Sequence, residues 1–445
     1  MRIVIGGSGD VGFHLAQSLA AAGHSLTLID SDGSILQNAS TKIDAITLRG
    51  DVSSVDLLKK ADIDRADIFI AASTSESTNL LSCILAKKLG AKKTVARITN
   101  VEYVEEIQKR NFAEVGIDHV FSPTLLGAQE ITRLIRRCSA TDIFEFEGGK
   151  LSILGYFVEE DSKFVGKTFS DFCSLKECQT RGIALLRNGE TRIPSTSEKV
   201  MANDHIYLSS NAKDLNVLDV HFGGELKEVK HIMIVGGTEI ALQTALSLEK
   251  SFHVSVIVEK EEKAKRFIEK LDRSLVIQGN VANIDLLKEE GLERMDAFIA
   301  LTSNSETNIL TSLTAEDAGV FRSIALVDNT VYTHLSQRIG VDTLINKKLI
   351  AANNIFRYVR KGQVEAIASL HGVEAEIIEF AVHSNSKLTQ KPIKDIGMPR
   401  GAIVAGVVRR DDGIIPDGDF RLELDDKVII LAKPREVSKL EDIFK

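Results

Sequence analysis

The sequence predicts an α/β protein made of two tandem halves, each a Rossmann-like, doubly wound parallel-sheet domain followed by a small α+β domain. Three observations predict this class. The chain overlays on itself when it is shifted by 229 residues. Apolar strand-like runs alternate with helical patterns in the first part of each half. A glycine-rich loop joins the first predicted strand to the first predicted helix.

Identical residues in the same order carry the repeat, which indicates a duplicated unit. The matches include Ile3 with Ile232, Gly7 with Gly236, Gly50 with Gly279, Asn79 with Asn308, and 56–59 with 285–288. We expect the register to hold without a gap for about 100 residues. The offset then falls to 224, because the second half has lost five residues after Tyr332.

Four domains follow from the repeat, with a hinge predicted between the halves at Gly223-Gly224. The predicted boundaries are 1–137 and 229–361 for the parallel-sheet domains, and 141–222 and 365–445 for the small domains.

Short β-rich runs separated by helical patterns indicate βαβ units. In the first domain the strands are predicted at Arg2–Gly6, Ser25–Asp30, Ala45–Leu48, Asp67–Ala71, Thr94–Ile98 and Asp118–Phe121. The helices are predicted at Asp10–Ala22, Val55–Lys60, Asn79–Leu89 and Leu125–Arg137. The small domains are predicted to have strands at Ile153–Val158, Ile183–Leu186, His205–Leu208, Ile403–Val408 and Lys427–Leu431.

The composition argues against several classes of protein. A net charge of −8 without a basic block disfavours nucleic acid and anionic lipid as partners. No apolar run approaches the roughly 20 residues that cross a bilayer, and the N-terminal residues lack a signal-peptide pattern. Four cysteines do not form a disulfide framework, and the spacing of Cys173 and Cys178 is poor for a metal. We therefore expect a cytoplasmic protein without a metal site.

The segment Gly7-Ser8-Gly9-Asp10-Val11-Gly12 has the GxGxxG pattern in the strand-to-helix context that gives it meaning. Gly7 permits a tight turn, Gly9 leaves room for a pyrophosphate beside the backbone, and Gly12 lets the helix pack closely. Backbone N–H groups at the start of the helix would then bind the phosphates.

Asp30 ends the second predicted strand, 18 residues beyond Gly12. A carboxylate at this place accepts hydrogen bonds from ribose hydroxyls and repels a 2′-phosphate, which favours NAD or an adenine nucleotide over NADP. The alternative is that Asp30 only caps the following helix.

Further polar residues follow the other strands at the same edge of the predicted sheet. Asp51 is placed to reach an adenine amino group, and Arg97 to pair with a phosphate. Ser73 and Thr74 either face the ligand or cap the next helix. The alternative for Arg97 is a surface salt bridge.

The second half departs from this pattern. Its counterpart positions are Gly236, Gly237, Thr238, Ala241, Glu259, Asn280 and Leu326. Thr238 replaces Gly9 and puts a side chain where the pyrophosphate should approach, and Leu326 removes the cation of Arg97. Glu259 is interpreted as keeping the acid of Asp30. We predict a weaker, altered or empty second site at Gly236, Gly237 and Glu259.

No catalytic machinery is recognisable. The ten histidines are scattered, and no zinc motif, nucleophile elbow or P-loop lysine occurs. The domains of about 80 residues are small for substrate binding. These features favour a protein that is not an enzyme.

Five segments together resemble the KTN/RCK nucleotide-binding domain. They are GGSGDVG at 6–12, LID ending at Asp30, LRGD at 48–51, the run at 71–79 and VARI at 95–98. The small domains resemble the RCK C-terminal domain. The order of the four domains over the whole chain resembles the TrkA family, the regulatory subunits of bacterial Trk potassium-uptake systems.

The resemblance implies a cytoplasmic protein on the inner face of the cell membrane, bound to a membrane potassium-translocating subunit without inserting into the membrane. It implies binding of NAD or NADH, in some members of ATP or ADP, and a homo-oligomeric ring that we expect to be a tetramer. Carried over to this chain, the phosphates face Gly7, Ser8, Gly9, Asp10 and Val11, and the remaining ligand contacts are Asp30, Asp51, Ser73, Thr74 and Arg97. Two alternatives stay open, namely a soluble NAD-dependent oxidoreductase and a nucleotide sensor coupled to another channel or antiporter.

Overall fold

The structure of the chain is a computed structural model. It describes residues 1–21, 23–109, 112–136, 142–160, 162–173, 179–188, 190–215, 217–218, 229–328, 341–360, 366–369, 375–383 and 387–444. The predicted hinge at Gly223-Gly224, the region shortened after Tyr332, and the side chains of Cys173 and Cys178 lie outside the described residues.

The first half begins with a six-stranded parallel sheet in the order β3-β2-β1-β4-β5-β6. The strands are β1 Arg2–Gly6, β2 Ser25–Asp30, β3 Ile46–Arg49, β4 Ile68–Ala71, β5 Lys93–Arg97 and β6 His119–Phe121. The helices are α1 Asp10–Ala21, α2 Gly33–Lys42, α3 Val55–Lys60, α4 Glu76–Lys88, α5 Val101–Lys109 and α6 Pro123–Arg136. The strand order reverses between β1 and β4, which is where ligands bind in open α/β sheets. The predicted parallel sheet is confirmed, although α2 and α5 were not predicted.

The small domain of the first half is an antiparallel sheet in the order β10-β9-β11-β8-β7. Its elements are β7 Asp142–Phe146, β8 Leu151–Phe157, α7 Phe169–Cys173, β9 Thr180–Arg187, β10 Glu190–Arg192 and β11 His205–Asn211.

The second half repeats both sheets. The parallel sheet has the order β14-β13-β12-β15-β16-β17, and the antiparallel sheet has the order β18-β19-β22-β20-β21, which is the order of the first small domain. The strands are β12 His231–Val235, β13 His253–Val258, β14 Leu275–Gln278, β15 Ala297–Ala300, β16 Arg322–Leu326, β17 Thr343–Ile345, β18 Ala366–Ser369, β19 Glu376–Ala381, β20 Ala402–Arg409, β21 Asp412–Ile414 and β22 Lys427–Ala432. The helices are α8 Glu239–Leu248, α9 Glu261–Lys270, α10 Ile284–Glu289, α11 Ser305–Asp317, α12 Lys347–Arg360 and α13 Val437–Phe444.

The expected gapless register of the repeat is wrong at β13. In the first half Asp30 pairs with Arg49, whereas in the second half Val258 pairs with Gln278. Val258 therefore occupies the place of Asp30, and Glu259 lies just beyond the end of the strand. The cause is that α8 together with its connection to β13 is one residue shorter than α1 together with its connection to β2.

A compensating residue restores the register before β14. The segment between α9 and β14 is one residue longer than its counterpart between α2 and β3. The buried carboxylate of Glu249 fixes this longer segment by accepting the backbone N–H groups of Arg273 and Ser274, each at 3.0 Å. Because the two changes cancel, the sequences look gapless on either side of them.

The two halves pack crosswise through their linking helices. Helix α6 of the first half packs on α8 of the second, and α12 of the second half packs on α1 of the first. Ile131 and Leu134 of α6 share a hydrophobic core with the second parallel sheet, and Ala351 and Ile355 of α12 share one with the first. Each linking helix thus joins its own half to the other.

The small domains also pack against each other. Buried residues of both antiparallel sheets form one cluster, in which Ile153 and Tyr207 lie with Ile377 and Leu431. Ser209 donates a hydrogen bond to the Ala405 carbonyl across this interface at 2.7 Å. Among the described residues, no helix combines the length and the apolar character needed to cross a bilayer.

One ion pair of the first half has an acidic counterpart in the second. Lys87 of α4 contacts the Asp118 carboxylate at 2.8 Å. The equivalent of Lys87 is Glu316, which accepts hydrogen bonds from the Ser323 hydroxyl and the Asp342 backbone N–H. Burial raises the pKa of Glu316 to about 6, and the Asp342 carboxylate adds to this shift. Burial also raises the pKa of Asp342.

Glu316→Lys is expected to stabilise the protein above pH 7. A folded-state pKa above the ordinary value means that Glu316 favours folding below about pH 4.5 and loses this contribution as pH rises past about 6. Lysine would replace the carboxylate pair by the ion pair of the first half, a gain of about 1 kcal/mol after allowance for solvent screening at this half-buried site. Thermal unfolding at pH 5 and pH 8 measures it, with the larger rise in Tm expected at pH 8. Lys87→Glu, the reverse change in the first half, should lower Tm at pH 8, and equal effects at both pH values would contradict the prediction.

Candidate functional site

The glycines of the first loop have different structural roles. Gly7 has a φ of +95°, and a Cβ there would lie 2.5 Å from the backbone nitrogen of Ser73. A Cβ at Gly12 would lie 1.8 Å from the Gly7 carbonyl oxygen, so the first turn of α1 packs directly on the loop. A Cβ at Gly9 would meet nothing within 4 Å. Gly9 thus borders open space, as the approach of a pyrophosphate to the backbone requires.

A hydrogen bond connects Ser8 of this loop with Asp30 at the end of β2. The Ser8 side chain is buried, and its hydroxyl has no hydrogen-bond partner among the described residues. The Asp30 carboxylate accepts the backbone N–H groups of Ser8 at 2.6 Å and of Asp32 at 3.0 Å. The N-cap of α2 is Asp32, so helix capping does not explain Asp30. Each Asp30 oxygen retains a lone pair that can accept a ribose hydroxyl.

The next two residues of the loop differ in what they offer a ligand. Asp10 begins α1, and its side chain is 74% exposed. Val11 is buried in the core of the sheet, so only its backbone can face a ligand.

The structure places the other predicted residues at the same edge of the sheet but gives them different surroundings. Asp51 accepts hydrogen bonds from the backbone N–H and the hydroxyl of Ser53, and the first of these lowers the pKa of its carboxyl. Thr74 is exposed. The N-cap of α4 is Ser75, so neither Ser73 nor Thr74 is the capping residue considered above.

Sequence reasoning missed the role of Asn79. This fully buried side chain accepts the Ser73 backbone N–H at 2.9 Å and the Ser73 hydroxyl at 2.8 Å. Its amide donates to the carbonyl oxygens of Ser73 at 3.0 Å and of Arg97 at 2.9 Å. Asn79 therefore links the ends of β4 and β5 by side-chain hydrogen bonds beneath the crevice. Asn308 makes the same four contacts in the second half, and this retained pair of asparagines was the available signal.

Arg97 lies in a polar environment below the surface. Its Nε is buried and has no hydrogen-bond partner within the described part of the chain. Burial lowers the pKa of its guanidinium, while the carboxylates of Asp10 and Glu76 oppose that shift. Arg97 ends β5, at the same edge of the parallel sheet as the phosphate loop after β1. No salt bridge accounts for Arg97 among the described residues.

The second half contributes to a cleft beside the first loop. The cleft has a volume of about 600 Å³ and does not include Asp51, Ser73, Thr74 or Arg97 in its lining. Its lining residues are Ser8, Gly9, Asp10, Phe13, His14, Gln17, Ile35, Asn38, Lys42, Asp328 and Lys348. Lys348 of α12 reaches across to Asp10, with 2.7 Å between the ammonium and the carboxylate.

The corresponding loop of the second half carries a side chain, that of Thr238, at the position of Gly9. The Thr238 hydroxyl donates to the Leu301 carbonyl at 2.6 Å, and a Cβ at Gly236 would lie 2.6 Å from the same carbonyl oxygen. A Cβ at Gly237 would lie 2.8 Å from the side chain of Val258, the residue at the place of Asp30. The expectation that Glu259 keeps the acid at that position is therefore corrected.

The arrangement in the first half suits an anionic ligand with hydroxyl groups. Phosphate is favoured by the backbone N–H groups of a helix start, by a buried hydroxyl that has no partner among the described residues, and by the Arg97 guanidinium at the same sheet edge. Asp30 favours a ribose. Among the described residues, no group of three or more His, Cys, Asp or Glu side chains converges as a metal site.

Comparison with known families assigns most of the chain. The TrkA-N domain matches residues 3–123 and 232–347, and the TrkA-C domain matches residues 377–445. The Trk system potassium uptake protein TrkA homolog of Archaeoglobus fulgidus is 33% identical over 100% of both chains. The Trk system potassium uptake protein TrkA of Haemophilus influenzae is 31% identical over 100% of this chain and 98% of its own.

Solved structures share the fold. The crystal structure of the GsuK RCK domain covers 100% of this chain and 94% of its own, with a TM-score of 0.64 and 16% identity. The GsuK channel bound to NAD covers 100% of this chain and 78% of its own, with a TM-score of 0.63 and 16% identity.

Proposed function

Because the chain belongs to the TrkA family of Trk system potassium uptake proteins, we propose that it is the nucleotide-binding regulatory subunit of a membrane potassium-uptake system. The geometry of the first loop gives this proposal its main support. Gly9 borders open space, and the buried Ser8 hydroxyl has no partner among the described residues. A bound phosphate would supply the partner that this hydroxyl lacks.

The proposed ligand is NAD or NADH, with ATP or ADP as the other adenine nucleotides to test. Gly7, Ser8, Gly9, Asp10 and Val11 would hold the phosphates through the loop and the start of α1. Asp30 would accept a ribose hydroxyl, Asp51 would meet the adenine, and Ser73, Thr74 and Arg97 would complete the crevice. A GsuK channel solved with NAD has the same fold, which supports trying this ligand first.

The proposed partner is a membrane potassium-translocating subunit, contacted from the cytoplasmic side. A net charge of −8 favours docking on a basic surface of that subunit over contact with anionic lipid. Copies of the chain would form a ring, and four copies are the number to test first. The proposed role is not enzymatic, because the TrkA relatives are named as potassium uptake proteins and the groups of the crevice described above are binding groups.

Regulation by nucleotide requires a difference in affinity between two conformations. The packing of α1 on α12 would connect the nucleotide site to the other half, because α1 starts at the phosphate loop. A ligand that moves the start of α1 would change the angle between the halves. The membrane subunit would respond to that angle through the ring.

Calorimetric titration with NAD, NADH, ATP and ADP tests the proposal on the wild type and on Asp30→Ala. We expect binding to the wild type and at least a tenfold loss in the variant, as hydrogen bonds to a charged group contribute about 2 kcal/mol. Nucleotide-dependent potassium uptake by vesicles that contain the partner completes the test. Unchanged binding in Asp30→Ala would contradict the site, and steady oxidation of NADH with a substrate would favour an oxidoreductase instead. Co-purification with another channel or antiporter would identify a different partner.

A further inference from the structure

We propose that Lys348, which belongs to the second half, reads the terminal phosphate of a nucleotide bound in the first half and thereby selects for phosphate charge. The inference rests on the proposed function and names the specificity of its site. The observation behind it is the cleft that both halves line beside the phosphate loop.

Lys348 is held at the mouth of the loop before any ligand arrives. Its side chain is only 17% exposed, and its ammonium lies 2.7 Å from the carboxylate of Asp10. Asp10 is 74% exposed and begins α1, where an entering phosphate would meet a like charge. Lys348 neutralises that charge, and a phosphate that displaced Asp10 would pair with the same ammonium.

The cleft has the polar groups that a projecting phosphate needs. The buried Ser8 hydroxyl, without a partner among the described residues, belongs to its lining, and Gly9 leaves space beside it. His14 also lines the cleft, and burial followed by the charge of Lys348 lowers the pKa of its imidazole. The neutral form of His14 thus leaves Lys42 and Lys348 as the cations of the cleft lining, and Lys348 is the one that contacts Asp10 at the loop.

The geometry favours a phosphate that extends beyond the loop over one that is esterified on both sides. In a dinucleotide the second phosphate is esterified on both sides and continues into a ribose, so it carries one negative charge and has no free terminal oxygens for Lys348. The terminal phosphate of ATP carries two and ends in free oxygens that an ammonium can contact. ADP, which is one phosphate shorter, should depend on Lys348 less than ATP does.

Isothermal titration of the full-length protein with ATP, ADP and NADH tests the inference. Lys348→Gln should weaken ATP binding by about tenfold and ADP binding by less, while NADH binding stays within about twofold. Lys348→Arg should restore most of the affinity for ATP. Asp10→Asn, which removes the competing carboxylate, should strengthen ATP binding.

Lys347→Gln is the matched control, because Lys347 is the neighbouring residue and is not part of the cleft lining. Its ammonium lies 3.7 Å from the carboxylate of Asp328, which does line the cleft. The substitution should leave all three affinities unchanged. Equal losses for ATP and NADH in Lys348→Gln, no loss at all, or the same loss in Lys347→Gln would overturn the inference. A wild type that binds NADH but not ATP would also overturn it and leave the proposed function standing, whereas a wild type that binds none of the three would refute both.

Discussion

Gly9→Thr is expected to abolish nucleotide binding while the protein stays folded. A Cβ at Gly9 meets no atom within 4 Å, so the larger side chain fits the empty protein. It would instead fill the space through which a pyrophosphate reaches the backbone. A loss of at least a hundredfold in affinity is expected, since steric exclusion also removes the backbone hydrogen bonds. Calorimetric titration measures the affinity, and Tm should remain within about 2 °C of the wild type.

The second half offers the matched change. Thr238→Gly opens the equivalent position, but Val258 still occupies the place of Asp30. We expect it to create no strong second site and to lower Tm slightly, because the hydrogen bond from Thr238 to the Leu301 carbonyl is lost. Nucleotide binding that persists in Gly9→Thr would show that the ligand does not use this loop.

Asn79→Ala is expected to lower the free energy of unfolding of the first parallel-sheet domain by about 3 kcal/mol. The substitution leaves a buried backbone N–H and two buried carbonyls without their hydrogen bonds, at the ends of β4 and β5. It also releases the Ser73 hydroxyl and the backbone of Arg97 at the crevice. Urea unfolding, with hydrogen exchange of these two strands to assign the loss, measures the effect.

Asn308→Ala removes the same four contacts from the second half. The two variants should lose similar stability, but only Asn79→Ala should also weaken nucleotide binding. If Asn79→Ala lowered the free energy of unfolding by less than about 1 kcal/mol, other contacts would be replacing the hydrogen bonds of Asn79. Equal effects of both variants on nucleotide affinity would contradict the placement of the site in the first half.

Local pattern was enough to predict the first phosphate loop. A strand, three glycines at fixed spacing and an apolar helix lie within 21 residues, and the structure has each of them. The parallel sheet was also predictable, because each strand is an apolar run with polar ends. Helix α4 begins at Glu76, three residues before the predicted start, since Ser75 caps it.

The sequence could not predict that Val258, and not Glu259, occupies the position of Asp30. One residue is missing before β13 and one is added before β14, so residues on either side keep the same offset. Glu259 then aligns with Asp30 although strand pairing puts Val258 there. Only the hydrogen-bond register of the sheet distinguishes the two alignments.

Contacts between the two halves could not be predicted from the sequence either. Lys348 lies 338 positions from Asp10 in the chain, and nothing in either local segment indicates that they meet. Their contact depends on the crosswise packing of α12 on α1. Through this packing the second parallel-sheet domain supplies the ammonium that contacts Asp10 at the loop of the first.

We propose that each chain has one nucleotide site, located in the first half. The most direct test is the stoichiometry of calorimetric titration of the wild type with the tightest-binding nucleotide. We predict one nucleotide per chain and none in Gly9→Thr. Two equal sites per chain, or one site that survives in Gly9→Thr, would contradict a single site in the first half.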